Sequence, residues 1–315
     1  ERGGGRRVSQ RLVPVSEADT AHPLWARLTA PRAPIRLGER TVRFYEPSVM
    51  AILNRTPDSF SDGSRHASDD EAAAAAVAMA AEGAAIIDVG GESTRPGAAE
   101  VWEQDEIARV APVIERLAKA GIAVSIDSRK SAVMADALAR GAGMVNDVSG
   151  LTHDERALET VAKAGCPVVI MHTQGSPETM QRDPQYEDAL LDVYDWLETR
   201  IDAAVAAGIA RDRIIVDPGI GFGKTVRHNL EILNGLSLFH GLGVPVLLGA
   251  SRKRIVGALS NEAPVDRRLG GSLALVMAAV AQGVQVVRVH DTFDSMQAIR
   301  VWRGLRDAAL SPPAP

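Results

Sequence analysis

Cysteine is almost absent: Cys166 is the only one in 315 residues. No internal disulfide can form and no thiolate metal cluster can be built. That usage fits a reducing compartment, and a cytoplasmic location is expected. Aromatic residues make up 4%, too few for a platform that stacks nucleobases. A basic excess is also missing: 35 Lys and Arg against 40 Asp and Glu leave a net charge of −5. No positive field recruits nucleic acid, and no such partner is expected. No apolar run reaches the ~18 residues of a membrane span, so no membrane partner is expected either. What is present is ordinary core material. With 46% hydrophobic and 24% charged residues, the chain can fill a large core and is not a disordered chain.

Residues 1–34 are rich in Arg, Gly and Pro without a sustained period, and read as a flexible or loosely packed extension. Residues 35–46 alternate apolar and polar around Gly38, the signal of a hairpin. A rhythm then fills residues 47–310. Short apolar runs end in polar residues: Val49–Asn54, Ala85–Gly90, Ala123–Asp127, Met144–Asp147, Pro167–His172, Ile214–Asp217, Pro245–Gly249 and Val286–His290. Helical segments such as Asp70–Glu82, Glu103–Lys119, Ser131–Arg140, Tyr186–Ala207 and Leu273–Gln282 separate them, several closed by glycine. Runs without alternation are buried on both faces, as parallel strands are. Eight strand–helix units predict an α/β fold, a (β/α)₈ barrel preceded by a hairpin and an extension. A doubly wound sheet is the alternative that strand count alone leaves open.

In a barrel the C-terminal strand ends form the active-site rim. Here those ends carry Asn54, Asp88, Asp127, Asn146, Asp147, His172, Asp217, Arg288 and His290, with Ser251-Arg252-Lys253 just beyond. Any one of them could instead cap the following helix, and Asp88 and Asp147 are the readiest structural candidates. Asp127, Asn146 and Asp217 suit a planar heterocycle with several N–H donors. Arg252, Lys253, Arg288 and His290 suit an anion such as phosphate. Asn54 offers a neutral oxygen to a hard cation completed by phosphate and water. The loops 55–64 and 90–97 are rich in Gly, Ser and Pro and read as mobile binding loops. The segment 217–224 is glycine-rich, but its spacing is not that of a phosphate-binding Walker loop. Cys166 has no paired histidine in sequence and reads as an inert thiol.

The segment Asn54-Arg55-Thr56-Pro57-Asp58-Ser59-Phe60-Ser61-Asp62-Gly63 resembles the N-V-T-P-D-S-F-S-D-G signature of the dihydropteroate synthase family. The likeness continues through Asp88–Gly97, Ser125–Ser128, Asn146–Gly150, Met171-His172, Asp217–Lys224, Ser251–Lys253 and Arg288–Asp291. It implies a TIM barrel, usually a homodimer, that joins 6-hydroxymethyl-7,8-dihydropterin pyrophosphate to p-aminobenzoate and releases pyrophosphate. It implies a pterin pocket of Asp127, Asn146, Met171, Asp217, Gly249 and Lys253. It implies a pyrophosphate site of Asn54, Arg288 and His290, with Mg²⁺ on Asn54. The p-aminobenzoate site would draw on Phe60, Thr94, Arg95, Pro96, Lys253 and Arg254. Asp62, Arg95, Lys253, Arg288 and His290 would be the catalytic groups. Arg55 departs from the family's valine, and Arg254 stands where many members have serine. Two neighbouring readings share the pterin set: a non-catalytic pterin-binding paralogue, and a barrel that passes a folate methyl group to a corrinoid.

Overall fold

The computed structural model describes residues 30–56, 68–95, 97–175 and 179–310, together with Arg27. Strands β1 (Ile35–Leu37) and β2 (Arg40–Val42) form an antiparallel hairpin. Then come β3 (Ser48–Asn54), α1 (Asp69–Glu82), β4 (Ile86–Gly90), α2 (Glu103–Lys119), β5 (Val124–Asp127), α3 (Ser131–Ala139), β6 (Met144–Asp147) and α4 (Ala157–Ala164). They are followed by β7 (Val168–Met171), α5 (Ala189–Ala206), β8 (Ile214–Asp217), α6 (Val226–Asn234), β9 (Leu247–Leu248), α7 (Arg254–Leu259), α8 (Leu269–Ala281), β10 (Val286–Val289) and α9 (Thr292–Leu310). The large sheet is parallel, with order β8-β7-β6-β5-β4-β3-β10-β9. A parallel bridge between Val216 and Val246 joins its two ends and closes the barrel. Seven of the eight expected apolar runs contain one of these strands, and the first, Val49–Asn54, misses only Ser48 of β3.

Strand residues alternate between two faces, and both are apolar at the start of the strands. One set, including Ala51, Val89, Ile126, Ile170 and Val216, packs outward under the helices. The other set, Met50, Ile86, Met144, Val169, Ile215, Leu247 and Val286, fills the barrel interior. Ile35, Leu37 and Val42 of the hairpin join this inner cluster and seal the N-terminal end. Among the described residues the floor is therefore apolar and covered by the hairpin, and the polar inward positions lie toward the strand C-termini.

Helix ends follow local chemistry. Ser68 and Glu71 form a reciprocal capping box on α1. Helix α5 starts at Ala189 rather than Tyr186, because Asp188 accepts the N–H groups of Leu190 and Leu191. Helix α8 starts four residues before the expected Leu273. Its Gly270-Gly271 pair hid the start, and Gly271 is needed there: an added Cβ would sit 2.3 Å from Val256 Cγ1. Within the expected loose extension, Arg32 is anchored. It donates to the carbonyls of Arg27, Ala30 and His240.

Candidate functional site

Parity decides which polar residues enter the barrel. Two residues beyond the floor layer, the inward positions are Ile52, Asp88, Ser125, Asn146, Met171, Asp217, Gly249 and Arg288. Where a strand runs on, the next are Asn54, Gly90, Asp127 and His290. Register places Asn54 beside Gly90, Gly90 beside Asp127, and Asp127 beside Asn146. Met171 lies beside Asp217 in the same way. The missing side chain of Gly90 leaves room between Asn54 and Asp127. A Cβ there would lie 3.7 Å from Asn54 Oδ1 and 3.6 Å from Asp127 Oδ2. Gly249 plays the same part between Asp217 Oδ2, at 3.5 Å, and the Arg288 side chain.

Arg288 is the hub of this layer. Its Nε donates to Asp88 Oδ2 at 2.6 Å and its Nη2 to Asp127 Oδ2 at 2.6 Å. Nη1 has no protein partner among the described residues and remains for a ligand. Asn146 Nδ2 donates to Asp88 Oδ2 at 2.9 Å, and Asp217 Oδ1 accepts the N–H of Gly219 at 2.8 Å. Asp127 Oδ1, Asn146 Oδ1 and Asp217 Oδ2 are left as acceptors. Burial pushes Asp127 up to about 7, against the pull of Arg288, with Asp88 adding to the rise. Burial raises Asp217 as well, opposed chiefly by Lys253.

Lys253 sits opposite. Its ammonium lies 4.5 Å from the Phe222 ring centroid and donates to the Ile220 carbonyl. Burial lowers it to about 8, with Asp217 opposing. His290 meets Ser251 twice, its N–H at 3.2 Å and its Nδ1 at 3.1 Å from Oγ. One hydroxyl can accept the first and donate the second, which leaves Nε2–H free to donate. Burial and the neighbouring Arg288 push His290 down to about 3, so its ring is neutral.

Several rim residues do other work. His172 faces the helix layer, edge-on to Trp196 at 4.9 Å, and its Nδ1 meets Lys224 Nζ at 2.8 Å. The carbonyls of Gly219 and Phe222 also accept from Lys224. That pins the glycine-rich loop as a scaffold. Its glycines allow close approach, since a Cβ on Gly219 would meet the His172 carbonyl at 1.9 Å and one on Gly223 the Gln174 carbonyl at 2.5 Å. Asp147 caps its own turn, accepting from Ser149 and Leu151. Arg252, counted among the anion donors, is held by Asp291 in a two-pronged ion pair. Arg55 does not point to solvent: its side chain is largely buried and donates to Asp69 at 2.7 Å and to the Arg109 carbonyl. Thr94 lies half-buried and Arg95 exposed on the loop after β4, and Arg254 is exposed at the start of α7. Phe60, Asp62 and Pro96 lie outside the described residues. Burial raises the Cys166 thiol to about 11, which keeps it inert.

Sequence reasoning missed a buried ionic cluster behind the second loop. Lys130 donates to Glu92 at 2.9 Å and to Glu106 at 2.7 Å, and Arg129 donates to Glu92 at 3.0 Å. Glu92 also accepts the N–H of Val101, so one carboxylate ties both ends of the loop that carries Thr94 and Arg95. The signal was there: Glu106 lies on the buried stripe of α2, one turn before Val110. Phe222 under Lys253 was missed too. For a cation, no set of three acidic, histidine or cysteine side chains converges among the described residues. Asn54 Oδ1 fits a hard ion only as one ligand, completed by phosphate oxygens and water.

The family profile described as pterin binding enzyme matches residues 50–290. The dihydropteroate synthase of Haemophilus influenzae is 44% identical over 263 residues, which is 83% of this chain and 95% of that protein. The chain belongs to the dihydropteroate synthase family. The Escherichia coli K12 enzyme is 45% identical over 81% of this chain and 90% of its own length. Among solved structures, Yersinia pestis dihydropteroate synthase in a sulfonamide drug complex matches with a TM-score of 0.83 at 43% identity, covering 87% of this chain and 100% of that one. The Xanthomonas albilineans enzyme bound to 7,8-dihydropteroate matches with a TM-score of 0.79 at 40% identity, over 87% of this chain and 99% of that one. Members of this family are transferases, and the barrel described above is theirs.

Proposed function

We propose that this chain condenses 6-hydroxymethyl-7,8-dihydropterin pyrophosphate with p-aminobenzoate, giving 7,8-dihydropteroate and pyrophosphate. The observation that carries this reading is the donor–acceptor split of the mouth. Asp127, Asn146 and Asp217, all at inward positions, each leave an acceptor oxygen without a donor among the described residues, matching the ring N–H and amino donors of a pterin. Arg288 Nη1 and the neutral His290 Nε2–H supply donors for an anion next to it. Lys253, near both Asp217 and the Phe222 ring, links the carboxylates proposed to face the pterin with the aromatic surface that would take the second ring.

The reaction breaks a C–O bond at an exocyclic methylene. Arg288 and His290 stabilise the charge that builds on the departing pyrophosphate. A Mg²⁺ held by Asn54 and the pyrophosphate would neutralise more of that charge. Asp127 and Asp217 place negative charge beside the pterin as its methylene becomes cationic. The aniline nitrogen is already unprotonated at neutral pH and needs no strong base. These features support an SN1-like path, with the loops excluding water. Thr94, Arg95 and Arg254, with Phe60 and Pro96, are proposed for the p-aminobenzoate side, which sulfonamides would share. Asp62 is proposed alongside the catalytic groups. A cytoplasmic location and a homodimer belong to the same proposal. Val301 and Leu305, one turn apart on α9 and 60% and 70% exposed, supply an apolar face that a second copy would cover.

Asp127→Ala tests the pocket. Loss of a charge-assisted pair is expected to weaken binding of a phosphate-free pterin by about ten- to a hundredfold, read by calorimetry. Unchanged affinity would refute the assignment. The pH profile gives a second check. Below about 7 Asp127 gains a proton, loses its negative charge and turns one acceptor oxygen into a donor, and above about 8 Lys253 loses its charge. The pH dependence of kcat/KM should therefore be a narrow bell with limbs near those values. Lys253→Arg, which stays charged, should remove the alkaline limb. A limb that survives this substitution assigns it to another group.

A further inference from the structure

Asp88 has no exposed surface and makes no contact at the mouth, yet it touches two of the residues that do. Its Oδ2 accepts from Arg288 Nε at 2.6 Å and from Asn146 Nδ2 at 2.9 Å. The three residues come from β4, β10 and β6, so this one oxygen ties strands that are not neighbours in the sheet. A carboxylate only accepts and a guanidinium only donates. The Asn146 amide next to them therefore has one satisfied orientation: its NH₂ group toward Asp88 and its carbonyl oxygen toward the mouth. An amide without such a partner turns about its last torsion and can present NH₂ instead. NH₂ opposed to the N–H edge of a heterocycle is two donors facing each other.

We propose that Asp88 is a positioning residue for the heterocycle subsite. It fixes the polarity of the Asn146 amide, so that an acceptor faces the ligand, and it holds the Arg288 guanidinium beside Asp127. The proposal rests on the pterin reading of that pocket. It sorts the substrate class by chemistry: a ring that presents donors to Asn146 is bound, and an isosteric ring that presents an acceptor there is not.

The test is calorimetric binding of phosphate-free 6-hydroxymethylpterin to the full chain, with folding of each variant checked by thermal melting. Asp88→Ala and Asp88→Leu remove the acceptor and should weaken binding at least about tenfold. Asp88→Asn keeps an acceptor oxygen at the shared position and should stay within about threefold of the parent. Asn146→Ala should also cost about tenfold, and adding Asp88→Ala to it should cost clearly less than Asp88→Ala costs alone, because the Asn146 contact is shared and only the Arg288 tether is left to lose. Parent-like binding by Asp88→Ala overturns the proposal. So does loss in Asp88→Asn equal to that in Asp88→Ala, or full additivity with Asn146→Ala. If Asn146→Ala itself binds the pterin normally, the pterin reading of the pocket falls, and the proposal with it. Should the Ala and Leu variants not fold, hydrogen exchange of the Asn146 side-chain amide in the parent protein decides. Protection with and without pterin is expected, and exchange as fast as a free amide in the bound state overturns the proposal.

Discussion

Replacing Arg288 by alanine is expected to cut kcat/KM at least a hundredfold and to destabilise the fold by about 3–5 kcal/mol. Two carboxylates depend on this guanidinium. Asp88 is fully buried and Asp127 nearly so, with side-chain exposures of 0% and 11%. Removing the cation leaves two negative charges close together in a low-dielectric interior, and Asp127, already raised by burial, rises further. The same substitution deletes the proposed anion donor. Steady-state kinetics and a denaturant titration read the two effects. Arg288→Lys should recover stability better than activity, because a point charge can neutralise the pair but cannot reach both carboxylates and an anion at once. A variant with parental stability would mean that the pairing contributes nothing to the fold.

The second large effect is expected far from any substrate. Lys130→Ala strips the ammonium shared by Glu92 and Glu106, whose side chains are 3% and 0% exposed. Breaking such a buried cluster costs about 3–5 kcal/mol. At ~2–4 °C per kcal/mol for a domain of this size, the melting temperature should fall by about 10 °C. Burial already holds Glu106 above the usual carboxylate range, opposed mainly by Lys130. Pairing the change with Glu106→Leu removes one stranded carboxylate, so Lys130→Met/Glu106→Leu should melt higher than Lys130→Ala. The opposite order would show that the charges are not what holds this region. Because Glu92 also ties Val101, loosening the cluster should raise the KM for p-aminobenzoate more than the affinity for pterin changes.

Most of the fold was legible because parallel strands announce themselves as unbroken apolar runs, and each run here did hold a strand. Helix α2 was bounded correctly at Glu103 and Lys119 because its acidic start and basic end agree with its periodicity. Helix α8 was shortened because a glycine pair reads as a break, whereas close packing on Val256 requires it. The site was legible as a ring of polar strand ends, but a strand end does not reveal which way its side chain points. Counting by two from the floor residues does reveal it. Met50 leads to Asn54, and Ile86 leads to Asp88; Val169 leads to Met171 and turns His172 away. Pairing was not legible at all. Arg55 finds Asp69 across the first loop, within one strand–helix unit, and Arg252 finds Asp291 from the neighbouring unit, contacts that the fold and not the spacing defines. The Asp88 node was hidden for the same reason, since its three members are spread over 200 residues.

The central claim is the transfer itself, and release of pyrophosphate tests it most directly. Parent protein, 6-hydroxymethyl-7,8-dihydropterin pyrophosphate, p-aminobenzoate and Mg²⁺ should release pyrophosphate in one-to-one proportion with 7,8-dihydropteroate formed. Both signals should be lost together in Arg288→Ala. A protein that binds the pterin yet releases no pyrophosphate with both substrates present would contradict the claim and leave a pterin-binding barrel without this chemistry.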